Sequence, residues 1–345
     1  MSYTNGLDDP TLYFNTKLYT GNSTGSTEQA ITGLNFAPDL LWVKQRSGAE
    51  WHVLSDAVRG VPKNLYSNST DAEDTIGYLT SLDTNGFTLS SSTGLNGNGS
   101  TYVSWNWKAN GAGISNTDGS ITSSVSANTT SGFSIVSYTG NGIAGATIGH
   151  GLGVEPSMII IKNRSSVTDW AVYHKNVGNN KKLLLNTNDA ESSSSYFNST
   201  SPTSTVFSVN NSDTTNDTNP QIAYCFAEVK GFSKFGSYTG NGNSDGTFVY
   251  TGFRPAMVII KRTSGADRWV ISDNKRDPNN VVVGELNPND SAVEDTSSTP
   301  FDFLSNGFKI RRTGNVFNGS GESYIYMCFA ENPLVSSAGV PCTAR

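Results

Sequence analysis

One pattern occurs three times along the 345 residues. Tyr19-Thr20-Gly21-Asn22 returns as Tyr138-Thr139-Gly140-Asn141 and as Tyr238-Thr239-Gly240-Asn241. A proline then opens an apolar run that ends in lysine: Pro38 to Lys44, Pro156 to Lys162 and Pro255 to Lys261. A tryptophan follows, at Trp51, Trp170 and Trp269, and each copy closes on an aromatic segment ending at Trp107, Phe226 or Phe329. From first tyrosine to last aromatic the copies span 88, 88 and 91 positions. Anchors in a fixed order at near-constant spacing define a repeat, which constrains the fold more than any local propensity. Three units of about 100 residues are each large enough to bury a core. Triplication suits a binding or scaffolding protein, whose avidity grows with copy number. It suits an enzyme less, and the chain is read as a non-enzyme.

Composition points the same way. Charged residues make up 15%, against about 25% in ordinary soluble proteins. Ser, Thr, Asn and Gly dominate, and these compete with the helix backbone and favour turns. The apolar runs are short, β-branched and flanked by turn residues, which predicts strands buried on both faces. Asn85-Gly86 and Asn306-Gly307 are expected at hairpin turns. Six to eight short strands per copy predict an all-β chain of three tandem β-sandwich repeats, of jelly-roll or lectin-like type.

The organisation follows: an N-terminal arm over 1–11, repeat one over 12–110, and a Gly/Ser/Thr/Asn-rich linker or edge hairpin over 111–131. Repeat two covers 132–231, repeat three 232–332, and a tail 333–345. Repeats two and three adjoin and are expected to pack together, with repeat one hinged. The formal net charge of −6 and the lack of a basic block argue against nucleic-acid binding. No stretch is long and apolar enough to span a membrane. The start lacks a signal peptide's pattern, so synthesis in a cytoplasm is expected. Cys225 and Cys328 fall at equivalent positions, where repeat one has Asn106, and read as unpaired thiols; Cys342 reads as inert.

The candidate ligand-binding residues are Trp51, Asp56, Arg59, Trp170, Trp269, Asp273 and Arg276. Indole faces stack on sugar rings, but the same tryptophans fit a core role beside the buried strand. Asp56 with Arg59, and Asp273 with Arg276, are spaced to pin a loop through a charged pair or to read a sugar hydroxyl; pinning is the better fit. Repeat two has His174 in place of the aspartate. Lys44, Lys162 and Lys261, each near an arginine (Arg46, Arg164, Arg262), read as strand ends surfacing into solvent, with acidic-glycan binding as the functional alternative. The histidines are scattered without ligand spacing, so no metal and no cofactor is expected. The Asp213–Asp217 and Asn243-Ser244-Asp245-Gly246 clusters read as turns with oxygen ligands of the kind calcium takes.

The full set of anchors carries a family resemblance. Tyr-Thr-Gly-Asn, the run Phe36 to Arg46, Asp56-x-x-Arg59-Gly60, Asn85-Gly86-Phe87, Trp105-x-Trp107-Lys108 and the closing Phe329-Ala330-Glu331-Asn332-Pro333 resemble a repeat domain of structural proteins from marine tailed bacteriophages. The resemblance covers about 12–345 and implies a virion component made in the host cytoplasm. A tail-fibre or tail-appendage subunit contacting the host surface, with possible glycan binding, is the first expectation, with other virion proteins as partners and a homotrimer as the favoured assembly. A capsid decoration or knob protein is the alternative, and a surface-polysaccharide depolymerase ranks last. Only about 11 residues precede the first repeat, which favours a short tip or decoration over a complete long fibre. No catalytic residue carries over.

Overall fold

The computed structural model describes residues 7–341; Cys342 and most of the N-terminal arm lie outside them. The chain is all-β. Its helical content is a turn of 3-10 helix at Pro10–Leu12 and a one-turn helix at Thr93–Asn96. Repeat one carries β1 (Phe14–Thr20), β2 (Gln29–Thr32), β3 (Leu40–Gln45), β4 (His52–Asp56), β5 (Leu65–Tyr66), β6 (Leu79–Asp83), β7 (Gly86–Leu89) and β8 (Thr101–Trp107). The 111–131 segment holds β9 (Ile114–Asn116) and β10 (Ser123–Asn128). Repeat two continues with β11 (Phe133–Thr139), β12 (Ala146–Gly149), β13 (Met158–Asn163), β14 (Ala171–His174), β15 (Lys181–Leu184), β16 (Ser192–Ser193), β17 (Val206–Val209) and β18 (Pro220–Phe226). Repeat three has β19 (Ser233–Thr239), β20 (Phe248–Tyr250), β21 (Phe253–Arg262), β22 (Trp269–Asp273), β23 (Phe301–Leu304), β24 (Gly307–Ile310) and β25 (Ser323–Pro333).

Each repeat is a sandwich of one large and one small antiparallel sheet. The large sheets order as β1-β8-β3-β4-β5, β11-β18-β13-β14-β15 and β19-β25-β21-β22, and the small ones as β2-β7-β6, β12-β17 and β20-β24-β23. The segment 111–131 is a hairpin, not a flexible linker: β10 pairs with β11 and β9 with β10, extending the large sheet of repeat two.

The apolar run of each repeat is the middle of its large sheet, and strand alternation sends its side chains to two different cores. Leu41 and Val43 face the small sheet, against Ile31, Phe87 and Leu89. Leu40 and Trp42 face the opposite way, into a core shared with Met158 and Ile160 of repeat two and Met257 and Ile259 of repeat three. The large sheets are thus the three walls of a prism whose interior belongs to no single repeat. At its centre Trp107, Phe226 and Phe329 touch one another, with ring centroids 6.2, 5.7 and 6.1 Å apart. Equivalent residues meeting pairwise define a pseudo-three-fold axis. The expected hinge before repeat two is therefore absent, because repeat one contributes a full wall to the common core.

The Tyr-Thr-Gly-Asn motif is a clamp. The tyrosine hydroxyls of Tyr19, Tyr138 and Tyr238 donate to Leu95, Thr215 and Phe317 carbonyls at 3.0, 2.7 and 2.8 Å. The Asn22, Asn141 and Asn241 amides donate to the side chains of Asn96, Asn216 and Asn318 at 3.0, 2.9 and 2.9 Å. The glycine is required by close approach: a Cβ on Gly140 would sit 1.8 Å from the Asp217 carbonyl oxygen. Gly140→Ala is expected to destabilise the chain by about 2 kcal/mol, the range of an overpacked site, as a lowered midpoint in urea; an unchanged midpoint would refute the clamp.

The two expected hairpins differ in detail. β6 and β7 pair Asp83 with Gly86, so the loop is Thr84-Asn85, and Ser305-Asn306 is its counterpart between Leu304 and Gly307. Gly86 and Gly307 open the following strand. They are glycine because a Cβ would meet the Ile31 or Val249 carbonyl oxygen at 1.9 or 2.1 Å.

Candidate functional site

The tryptophans do not form one platform. Strand register pairs Lys44 with His52 and Lys261 with Trp269, and Trp170 follows the same register. His52, Trp170 and Trp269 are therefore equivalent, and Trp51 stands one place before. The three backbone amides share one cap: His52, Trp170 and Trp269 donate to the side-chain oxygens of Asn68, Asn186 and Asn289 at 2.9, 2.9 and 2.8 Å. Trp170 and Trp269 are buried, and their indole N–H groups donate across a seam to the carbonyls of Tyr66 and Leu184, each at 2.9 Å. Trp51 is 43% exposed and leans on Tyr66, centroids 5.4 Å apart. Spacing carried the signal: the strand lysine precedes His52, Trp170 and Trp269 by eight residues and Trp51 by seven.

Asp56, Arg59, Asp273 and Arg276 are also buried. They join repeats. Asp56 accepts from Arg59 Nε at 2.5 Å and from the Tyr224 hydroxyl of repeat two at 2.8 Å. Asp273 accepts from Arg276 Nε at 2.6 Å and from the Trp105 indole of repeat one at 3.1 Å. Each arginine also donates to a backbone carbonyl, Leu54 or Ile271, at 2.9 Å, and to a second carboxylate, Glu73 at 3.2 Å or Glu294 at 2.9 Å. Burial works against the guanidinium charge, but the carboxylates beside Arg59 and Arg276 more than offset it and hold both pKa values up. Each side-chain nitrogen and oxygen of these four groups has a protein partner, and Asp56 and Asp273 also accept loop amides from Arg59 and Arg276 at 2.8 and 2.9 Å, the geometry of a pinned loop.

The third seam explains why repeat two departs from the pattern. Register makes Trp105, Tyr224 and Met327 equivalent. Trp105 and Tyr224 offer an N–H or O–H to a buried carboxylate, whereas Met327 has no donor. An aspartate facing it would be a buried charge short of a partner. His174 stands there instead, its Nε2 3.4 Å from the Tyr326 carbonyl and its Nδ1 accepting from the Asn176 amide at 3.2 Å. Val177 replaces the arginine.

The strand-end lysines are corrected too. Lys44, Lys162 and Lys261 are fully buried. Lys162 Nζ donates to the Thr70, Ser166 and Thr168 carbonyls at 3.0, 3.2 and 3.0 Å, and Lys261 Nζ to Asn188 and Asp267 at 3.2 and 2.8 Å. Lys44 Nζ donates to Gln45 and Gly48 at 2.6 and 3.0 Å. Burial lowers each ammonium to about 8. Lys162 and Lys261 reach into the preceding repeat, so they brace seams. The arginines are paired: Arg46 with Glu294, Arg164 with Glu73 and Arg262 with Glu322, each at 2.8 Å. Around the axis the Glu73, Glu191 and Glu294 amides donate to the carbonyls of Arg164, Thr263 and Arg46 at 2.8, 3.0 and 3.1 Å. Repeat one thus holds two, two holds three, and three holds one.

Cys225 and Cys328 are free and buried, with burial raising both thiols. In the turn clusters the Asp217 carboxylate accepts amides from Asn163 at 2.9 Å and Gln221 at 2.9 Å, while Asp245 pairs with Lys309 at 2.5 Å. Among the described residues no group of three or more His, Cys, Asp or Glu is placed to hold a metal ion. No helix is long and apolar enough to cross a membrane among them.

His174 makes stability pH-dependent. Burial pushes its pKa down to about 4, with the nearby Lys175 adding to the fall and the Tyr326 carbonyl opposing it. The unfolded imidazole binds its proton near 6.5, so as pH falls through that value the unfolded state gains protons that the folded state refuses. The contribution is complete above ~6.5 and declines toward pH ~4 by at most about 1.4 kcal/mol per unit. His174→Gln should flatten that part of a urea-midpoint profile; an unaltered slope would count against it.

The fold is a three-walled prism of β-sandwiches whose walls are joined by contacts such as Arg164–Glu73, Arg46–Glu294 and Trp105–Asp273. The chain belongs to a family defined as a domain of unknown function (DUF7483), whose model matches residues 9–333. No curated protein and no solved structure matches it.

Proposed function

We propose that the chain is a structural protein of a tailed bacteriophage virion, a tail-fibre or tail-appendage subunit that contacts the host surface and has no catalytic role. The resemblance of its repeat motifs supports the phage assignment. The observation that carries the mechanical part is the closed core: three walls share one interior around Trp107, Phe226 and Phe329. That arrangement suits a stiff, protease-resistant knob. Among the candidate ligand residues Trp51 is the exposed one, and it is the group proposed to stack on a host glycan. Asp56 and Asp273, neutralised by buried arginines, are poorly suited to the paired-carboxylate chemistry of a depolymerase.

The pseudo-three-fold favours a second reading, a capsid decoration protein. One chain with three equivalent walls can seat on a three-fold position as a trimer would. The appendage reading carries the expectation of a homotrimer, whereas the decoration reading needs one chain per site. Locating the chain on purified particles by cryo-electron microscopy tests both. Density at the tail periphery supports the appendage, density on the capsid lattice supports decoration, and absence from particles sinks the virion reading. For host contact, Trp51→Ala should abolish binding to host cells without altering the folded chain; undiminished binding removes Trp51 from the account.

A further inference from the structure

The strand opening each large sheet has different neighbours in the three repeats. β1 and β19 are terminal, but β11 is interior because β10 lies on its outer side. The pairing of β10 with β11 runs antiparallel from Ser123–Tyr138 to Asn128–Phe133. The fold therefore shows, within its own chain, what this edge accepts.

Among the described residues no strand of repeat three lies where β10 lies in repeat two. Register makes Phe133 equivalent to Ser233, and Gly149 and Gly151 equivalent to Tyr250 and Gly252. Gly151 and Gly252 share a left-handed backbone, with φ of 69° and 84°. A Cβ on Gly151 would lie 3.0 Å from Val125 and 3.2 Å from Ala127, both on β10. On Gly252 the atoms nearest a Cβ belong to Tyr250, its hydroxyl oxygen at 3.6 Å and the ring at 3.8 Å. That space is a cavity of about 470 Å³ lined by Ser233, Lys234, Tyr250, Gly252, Leu334 and Val335.

The adjoining strand is uncovered as well. In repeat two the hairpin crosses β12: the Ile121 amide donates to Thr147 and the Ser123 hydroxyl to Gly149, both at 3.0 Å. The counterparts of Thr147 and Gly149 on β20 are Phe248 and Tyr250, 44% and 58% exposed. Large exposed aromatic groups stand where repeat two has the half-buried Thr147 and the buried Gly149. The β1 edge differs at one place: Lys17 stands where β19 has Gly236, and its Nζ comes within 3.2 Å of the Cβ position of Gly33, whereas the lysine of β19, Lys234, is drawn to Glu228 at 2.6 Å.

We propose that the β19 edge of repeat three is a docking site for an extended strand of another protein chain, added antiparallel, with small aliphatic side chains at alternate positions filling the cavity as Val125 and Ala127 do in repeat two. Backbone bonds to the open edge supply affinity and the alternating side chains supply selectivity. The inference is independent of the virion assignment.

The probe is a synthetic peptide with the sequence of residues 119–130, titrated onto the full chain by fluorescence anisotropy, with deuterium exchange read on the complex. Saturable binding that slows exchange over 233–239 is expected. A peptide carrying Val125→Ser and Ala127→Ser should bind about tenfold more weakly, since the apolar burial is lost. No binding, equal binding by the two peptides, or protection confined to other strands would overturn the proposal. Self-association of the chain that the peptide competes away would place a second copy on the edge and overturn the assignment to a different protein.

Discussion

Asp56→Ala is expected to destabilise the chain by about 3–5 kcal/mol, the cost of stranding one member of a buried ion pair. Arg59 and Asp56 are both fully buried, and without the carboxylate the guanidinium keeps Glu73 at 3.2 Å as its ionic partner. The Tyr224 hydroxyl loses its acceptor at the same time. Equilibrium urea unfolding reads the loss directly. The pair is expected to serve the seam more than total stability, because a well-packed apolar replacement is often neutral. The chain already contains such a replacement, His174 and Val177 facing Met327. The triple variant Asp56→His, Arg59→Val, Tyr224→Met should therefore recover most of the lost stability. A triple variant no better than the single one would show that the seams are not interchangeable.

Trp107→Ala is the second large effect, at about 3–5 kcal/mol for emptying a buried aromatic site. Its ring touches Phe14, Phe133, Phe226 and Phe329, so it removes packing from all three walls. The unfolding transition should stay single and move as a whole, with fluorescence and far-ultraviolet dichroism coincident. Two separated transitions would mean that repeat one unfolds alone, as a hinged unit would, and would contradict a common interior.

Much of this fold is legible in the sequence, because repetition tests itself: Leu40–Lys44, Met158–Lys162 and Met257–Lys261 all read as buried strands, and all are. The segment 111–131 reads equally as linker or hairpin, because its Gly, Ser, Thr and Asn suit both, and only its pairing with β11 decides it. The candidate site was less legible for two physical reasons. A lysine after an apolar run reads as a surfacing end, and only the loop carbonyls of a folded neighbour reveal a buried cap for Lys162. Asp56 and Arg59 are three apart and announce each other, but Tyr224 lies far along the chain, and nothing local marks it as their partner. Trp51 matches Trp170 and Trp269 by residue type, whereas constant spacing from the strand lysine selects His52.

The closed ring of seams also fixes a copy number. In an open stack of repeats the end units expose a face and need special caps, and the array tolerates gain or loss of a unit. Here the Arg46–Glu294 and Trp105–Asp273 contacts join the last unit to the first, so no unit is an end. Duplicating one would leave no wall for it to form, and deleting one would bare two raw faces. Insertions in this chain are thereby expected to be tolerated in loops and at sheet edges, while the count of three is held by geometry.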